Sequence, residues 1–234
     1  MFRWLLAFTV GISLVGCESG APATASGDAS KPAAETTVFP AGPVQRSRIG
    51  LFNELPRPNN PGDPSERSST IQVQVNVGDS PEQALKVFPT PKSAYLFSDL
   101  PPSLSKNYEA KGWETAGGEG YGVILYGGNV VAAMYQVNGQ PESMLEQLRS
   151  LQEQGMGTAQ YKIDKRPVQF WFWHDGSQTL MLSSYDKGEG RLNITLVMGD
   201  NNVLDAIGVS EKKADLDANR LARPAPSLGA RPQG

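Results

Sequence analysis

Strict alternation of apolar and polar positions predicts the first strand of the chain. Residues 71–77 read IQVQVNV, and a period of two places one face of a strand against a core and the other in water. A glycine–aspartate turn follows. Ser80, Pro81 and Gln83 then supply an N-cap, a proline at the first helical position and a capping-box glutamine. This pattern predicts a short helix that ends before Pro89.

The middle of the chain predicts a hairpin and then an amphipathic helix. Residues 121–126 and 129–137 are apolar runs separated by Gly127 and Gly128, and glycines supply the positive φ angles of a tight turn. Residues 141–155 open with proline, close with glycine and repeat methionine and leucine at helical spacing.

Three further strands form a predicted meander. Residues 168–173, 179–185 and 192–198 are apolar or alternating runs separated by turn residues. A second glycine–aspartate turn then precedes a short helix over 203–207, so the order strand, Gly-Asp, helix occurs twice. Residues 92–118 carry no such pattern, and we predict mainly loop there, with a short strand at 95–97 and a helical turn after it.

These elements predict an α+β domain over residues 70–210. The order β-α-ββ-α-βββ-α suggests an antiparallel sheet of about five to six strands with about two to three short helices on one face. The flanks, 17–69 and 211–234, are rich in proline, alanine, serine or glycine, a composition that predicts a disordered linker and a disordered tail. An apolar island at 49–52 interrupts the linker; it docks on the domain, docks on a partner or has no role.

Residues 1–16 have the three zones of a secretory signal. Arg3 gives a positive start, residues 4–12 are mostly apolar, and Gly16 is a small residue directly before the only cysteine, Cys17. The run is shorter than the ~20 apolar residues that span a bilayer. A buried core helix is the alternative, but polar residues and a glycine follow the cysteine at once.

The tetrapeptide Leu14-Val15-Gly16-Cys17 resembles the lipobox of bacterial lipoproteins. The resemblance implies that the Cys17 thiol receives a diacylglycerol, that a peptidase cuts between Gly16 and Cys17, and that the new N-terminus is acylated. Two or more acyl chains give stable anchoring where one does not. Residue 18 is Glu18, not the aspartate that retains enteric lipoproteins in the inner membrane, which favours the outer membrane. An ordinary secretory signal and an uncleaved apolar segment are the alternatives.

Composition narrows the chemistry open to the domain. If Cys17 carries lipid, the mature protein has no free thiol for a disulfide, a nucleophile or a metal cluster. His174 is the only histidine, so multi-histidine metal sites are excluded, and we expect no metal and no cofactor. The net charge is −3 and no basic run stands out, so nucleic acid is not an expected partner.

Two groups of residues are candidates for a site. Trp171 and Trp173 share one face of a strand, and with His174 at its end they form a candidate binding surface, since an exposed aromatic patch would bind a partner, a glycan or a peptide. The alternative is that both faces of the sheet are covered. His174 lies beside Asp175 and near Ser177, so a hydrolase triad is chemically conceivable, although a solvated turn histidine explains it as well.

A second group is formed by polar residues at the two glycine–aspartate turns. Asp79, Asp200, Asn201 and Asn202 could offer oxygen ligands to a hard cation. Helix capping accounts for the same residues without a metal.

The helix start at 78–82, followed later by a hairpin, is similar to small outer-membrane assembly lipoproteins of the SmpA type. That family shows Gly-x-Pro after the helix, where this chain has Pro89-Thr90-Pro91. The likeness implies a compact α+β domain behind a lipobox.

The sequence therefore predicts a lipid-anchored bacterial envelope protein, held in the membrane through Cys17. We expect its domain to lie outside the cytoplasm and to bind an envelope protein without catalysis. Ligand, glycan or peptide binding through the aromatic face is one alternative, and a hydrolase-type enzyme using His174 is another.

Overall fold

The apolar and alternating runs at 121–137 and 168–198 form the centre of one sheet in the computed structural model. The structure describes residues 37–42, 50–51, 55–56, 70–71, 75–87, 100–114, 119–188 and 190–222. The signal, Gly16, Cys17 and the strand predicted at 95–97 lie outside the described residues.

The described strands and helices follow one another along the chain in this order: β1 (Gly50–Leu51), β2 (Leu55–Pro56), β3 (Thr70–Ile71), β4 (Val75–Asn76), α1 (Pro81–Val87), α2 (Pro102–Ser105), β5 (Tyr108–Glu114), β6 (Gly120–Tyr126), β7 (Asn129–Gln140), α3 (Glu142–Met156), β8 (Tyr161–Lys165), β9 (Val168–Asp175), β10 (Gln178–Asp186), β11 (Leu192–Asp200), α4 (Asn201–Ala206) and α5 (Glu211–Leu221).

Seven antiparallel strands make the main sheet, in the order β5-β6-β7-β11-β10-β9-β8. The α+β class and the antiparallel sheet are confirmed, and the sheet has more strands than the sequence predicts. The additional strands, β5 and β8, are its two edges. Their sequences, YEAKGWE and YKIDK, mix charged with apolar residues, as edge strands do to discourage pairing with other chains.

Helices cover both faces of this sheet, not one. Along β9, the period of two sends Trp171 and Trp173 toward α3, whose Met144, Leu145 and Leu148 belong to the same buried cluster. On the opposite face, Phe170 and Phe172 of β9 belong to a second cluster. The helices contribute Leu104 from α2, Val203 from α4 and Ala214 from α5 to it. One-sided packing is therefore wrong, because β9, β10 and β11 bury side chains on both faces.

Residues assigned to the flanks also belong to the fold. The apolar island docks on the domain, since Gly50–Leu51 pairs with Val75–Asn76 and Leu55–Pro56 pairs with Thr70–Ile71. The strand predicted over 71–77 is thus described as two short strands with different partners, with 72–74 outside the described residues. The domain begins before residue 70.

The tail predicted from residue 211 begins instead with helix α5. Its buried side chains are Ala214, Asp217 and Ala218. Lys213 and Arg220 contact the Asp217 carboxylate at 3.1 and 3.4 Å. Composition misses this helix because its buried face is made of alanine and a paired charge, not of large apolar residues.

Local turn and cap predictions are confirmed in detail. The Ser80 N–H donates to Gln83 Oε1 at 2.9 Å, and the Gln83 N–H donates to Ser80 Oγ at 3.3 Å, which is the reciprocal capping box. Gly127 and Gly128 have φ angles of 56° and 79°. Among the described helices, none has the length and apolar character to cross a membrane.

Candidate functional site

Polar residues from five elements and one turn meet at one end of the main sheet, which we call the polar end. The registers that pair Gln178 with both Asp175 and Asp200 bring the β9–β10 turn beside the end of β11. Helix α4 starts there, and Glu211 at the start of α5 reaches the same place. The polar end comprises His174, Ser177, Thr179, Asp200, Asn201, Asn202 and Glu211.

His174 is held on both ring nitrogens. Its Nδ1 lies 2.8 Å from Thr179 Oγ1, and its Nε2 lies 2.8 Å from Glu211 Oε1. The ring stacks on Phe172 with 6.4 Å between centroids. Because a carboxylate only accepts, Nε2 carries the proton toward Glu211. His174, with 37% of its side chain exposed, lies near the end of β9 and fastens α5 to the β9–β10 hairpin.

The partners of His174 are not those of the triad considered from the sequence. Its described ring contacts go to Thr179 and Glu211, not to Asp175 or Ser177. Thr179 is 7% exposed, and its hydroxyl donates to Asn201 Oδ1 at 2.7 Å. A chain of polar contacts therefore runs from Glu211 through His174 and Thr179 to Asn201, and it joins α5, the hairpin and α4.

Asp200 is a buried carboxylate, 4% exposed, with two roles. Its Oδ1 accepts the N–H groups of Asn202 and Val203 at 3.0 and 3.4 Å, so it caps α4. The Ala41 N–H also donates to both oxygens, at 3.0 and 2.9 Å. Charge-assisted bonds of this kind are stronger than neutral ones.

The candidate cation ligands do not converge. Asp200 caps a helix, as capping predicts, while Asn201 Nδ2 donates to Gly176 O and Asn202 Nδ2 donates to Phe39 O. Asp79 lies in the turn after β4, where its Oδ2 accepts the Asn76 N–H at 2.8 Å. Within the part of the chain that the structure describes, no three or more His, Cys, Asp or Glu side chains are placed to hold a metal ion.

Residues 37–42, which we call the strap, lie across the polar end. The Val38 N–H donates to Ser103 O at 3.2 Å, and Tyr108 Oη donates to Val38 O at 3.2 Å. Burial, with smaller contributions from Tyr126 and Asp200, raises the pKa of Tyr108 to about 12, which keeps its hydroxyl a donor. The strap lies within the segment predicted to be a disordered linker, because its composition resembles the rest of that segment.

Comparison with family models, with curated proteins and with solved structures finds no match to this chain. The likenesses to the lipobox and to SmpA-type lipoproteins therefore stay predictions.

The two tryptophans of the predicted aromatic patch belong to the core. Trp171 and Trp173 are 3% and 0% exposed, and Trp173 Nε1 donates to Gly157 O at 2.8 Å. The prediction of an exposed binding face is corrected: both faces of the sheet are covered, so α3 packs where the patch was expected. Of the three expected surface residues, His174 alone reaches solvent.

A buried group of two tyrosines and a glutamate is not predicted from the sequence. Tyr121 and Tyr135 are fully buried with ring centroids 5.1 Å apart, and Tyr135 Oη lies 3.4 Å from Glu119 Oε1. Burial, and then the Glu119 charge, raises the pKa of both tyrosines. The alternation in β6 and β7 indicates which face of the sheet the two tyrosines lie on. Nothing in the neighbouring sequence indicates that Glu119 is buried with them.

Proposed function

We propose that this protein is a lipid-anchored protein of the bacterial envelope whose α+β domain is a non-catalytic interaction or structural module. The observation that carries the proposal is the tetrapeptide 14–17 at the end of a short apolar run with a positive start. Cys17 carries the lipid, the domain lies outside the cytoplasm, and the outer membrane is favoured over the inner membrane by Glu18. The partner is an envelope protein.

The contacts of the candidate residues support the non-catalytic part of this proposal. The two ring nitrogens of His174 are hydrogen-bonded to Thr179 and Glu211. The indole N–H of Trp173 is hydrogen-bonded to the main-chain oxygen of Gly157, directly after α3. These side chains hold elements of the domain together. Since helices cover both sheet faces, partner contacts fall to the edges of the sheet, the helix surfaces and the turns.

The test is mass spectrometry of the protein from the membrane fraction of its native host. We expect an N-terminal peptide that begins at Cys17 and carries diacylglycerol and a further acyl chain, and an outer-membrane position on a density gradient. A Cys17→Ser variant should lose the lipid, while Ser13→Ala, which leaves the tetrapeptide intact, should keep it. An unmodified thiol at Cys17, or a soluble secreted product, would overturn the proposal.

A further inference from the structure

The strap is hydrogen-bonded through its main chain to polar groups of four elements, and we call the surface that these elements form the groove. The walls are α2, the start of β5, the end of β11 and α4. Ser103 O accepts the Val38 N–H, Tyr108 donates to Val38 O, Asn202 donates to Phe39 O, and Asp200 accepts the Ala41 N–H. All of these bonds go to main-chain atoms of three strap residues, Val38, Phe39 and Ala41.

The side chains of the strap add one apolar contact. Val38 packs against the cluster that contains Leu104 and Tyr108. Phe39 points outward and is 55% exposed. Main-chain hydrogen bonds that give affinity, combined with a pocket that selects one side chain, are how protein grooves recognise extended peptides.

We propose that this groove is a binding site for an extended, uncharged peptide with an aliphatic residue at the Val38 position, and that residues 37–42 fill it in cis. Asp200 is the main recognition group, because its buried carboxylate takes the peptide N–H on both oxygens. Covalent connection gives the cis occupant an effective concentration that reaches about the millimolar range, so the chain's own segment outcompetes dilute peptides.

One consequence rests on the proposed function. If Cys17 is lipidated, the segment between lipid and domain contains 36 − 17 = 19 residues, against 69 − 17 = 52 for the linker predicted from composition. Because a fully extended chain spans at most about 3.5 Å per residue, the greatest distance between lipid and domain falls from about 180 Å to about 65 Å. The strap then ends the tether at the polar end, which becomes the side of the domain nearest the membrane.

The first test is hydrogen exchange in the full-length protein purified in detergent. The amides of Val38 and Ala41 should exchange at least tenfold more slowly than in a synthetic peptide of residues 35–44. Equal rates would overturn the proposal. This measurement needs no variant, and it needs no lipid on Cys17, so its outcome is separate from that of the proposed function.

The second test asks whether the emptied groove takes a peptide. Val38→Asp places a charge in the apolar contact and should release the strap, whereas Phe39→Ser alters an exposed side chain and is the matched control. Fluorescence anisotropy with the labelled 35–44 peptide should give at least tenfold tighter binding to Val38→Asp than to wild type or Phe39→Ser. Adding Asp200→Ala should remove that gain.

Two results would contradict the proposal. A folded Val38→Asp protein that binds the peptide no better than wild type would show that the groove is not a peptide site. A wild-type dimer in sedimentation analysis that dissociates when the peptide is added would show that the strap of a second copy fills the groove, and would overturn occupation in cis.

Discussion

The two glycine–aspartate turns share a local sequence and differ in what they hold. Asp79 and Asp200 are each 4% exposed; Asp79 follows β4, Asp200 ends β11, and each precedes a short helix. Asp79 accepts the N–H of Asn76, three residues away. Asp200 caps its own helix and also accepts the Ala41 N–H, 159 residues away in the sequence. One local pattern can therefore close a turn or fasten a distant segment.

The glycines of the two turns are required for different reasons. Gly78 has a φ angle of 89°, a region that side chains with a Cβ rarely adopt. Gly199 lies within a strand, and a Cβ there would come 2.7 Å from Ala132 Cβ and 2.8 Å from Val131 O. The first glycine serves backbone conformation, and the second serves the close approach of β11 to β7.

The largest effect on stability is expected for Gly199→Ala. Overpacking against the backbone of a central strand should lower the free energy of unfolding by about 3 kcal/mol. Gly78→Ala, which places a Cβ on a backbone with positive φ, should cost about 1 kcal/mol. Urea denaturation followed by circular dichroism measures both, and equal losses would mean that β11 and β7 can separate enough to admit a methyl group.

Replacing the two aspartates should also lower the free energy of unfolding more in the second turn than in the first. Asp200→Ala removes a helix cap and the bond to the strap, and should cost about 2 kcal/mol, whereas Asp79→Ala should cost about 1 kcal/mol. The comparison is made from the urea midpoints of unfolding, provided that the slope of unfolding free energy against urea concentration is the same in both variants. If Asp79→Ala proves the more damaging change, the long-range role assigned to Asp200 is wrong.

His174 should contribute less than either aspartate. Because its contacts to Glu211 and Thr179 are partly exposed to solvent, His174→Phe should lower the free energy of unfolding by about 1 kcal/mol. Asp175→Asn alters the exposed neighbour in the turn and should change it by less than about 0.5 kcal/mol. Identical effects would show that the histidine does not fasten α5 to the hairpin.

The smallest expected effect is a change in alkaline stability. Burial raises the pKa of Tyr108 from 10.0 to about 12, so between these values the folded state keeps a proton that the unfolded state has lost. Stability should therefore be fully present below pH 10 and fall as the pH rises toward 12. Tyr108→Phe should reduce this fall, and Tyr185→Phe, at a 39% exposed position, should not. Matching pH profiles of the two variants would argue against a buried Tyr108.

The sequence predicts the elements whose signals are local. The hairpin at Gly127-Gly128, the amphipathic helix α3 and the capping box at Ser80 depend on spacing and turn chemistry, and they appear where expected. The pattern predicts a loop at β5 and no strand at β8, because charged residues occupy three of seven positions in β5 and three of five in β8. Their pairing partners lie elsewhere in the chain and decide their structure.

The candidate site was harder to predict because its contacts are long-range. Alternation in β9 indicates that Trp171 and Trp173 share a face, but only the position of α3 decides that this face is covered. The contact of His174 with Glu211 spans 37 residues, and Glu211 was assigned to a disordered tail. The strap is recognised through its main chain, which leaves little trace in the identity of its residues.

A double-mutant cycle between Asp200 and Ala41 tests the central claim most directly. Ala41→Pro removes the donor N–H of the strap, and Asp200→Ala removes its acceptor. We predict that the two losses of unfolding free energy fall short of additivity by at least about 1 kcal/mol, while Ala41→Pro and Asp79→Ala add. Full additivity of Ala41→Pro with Asp200→Ala would contradict the account, because the buried aspartate would then hold only its own helix.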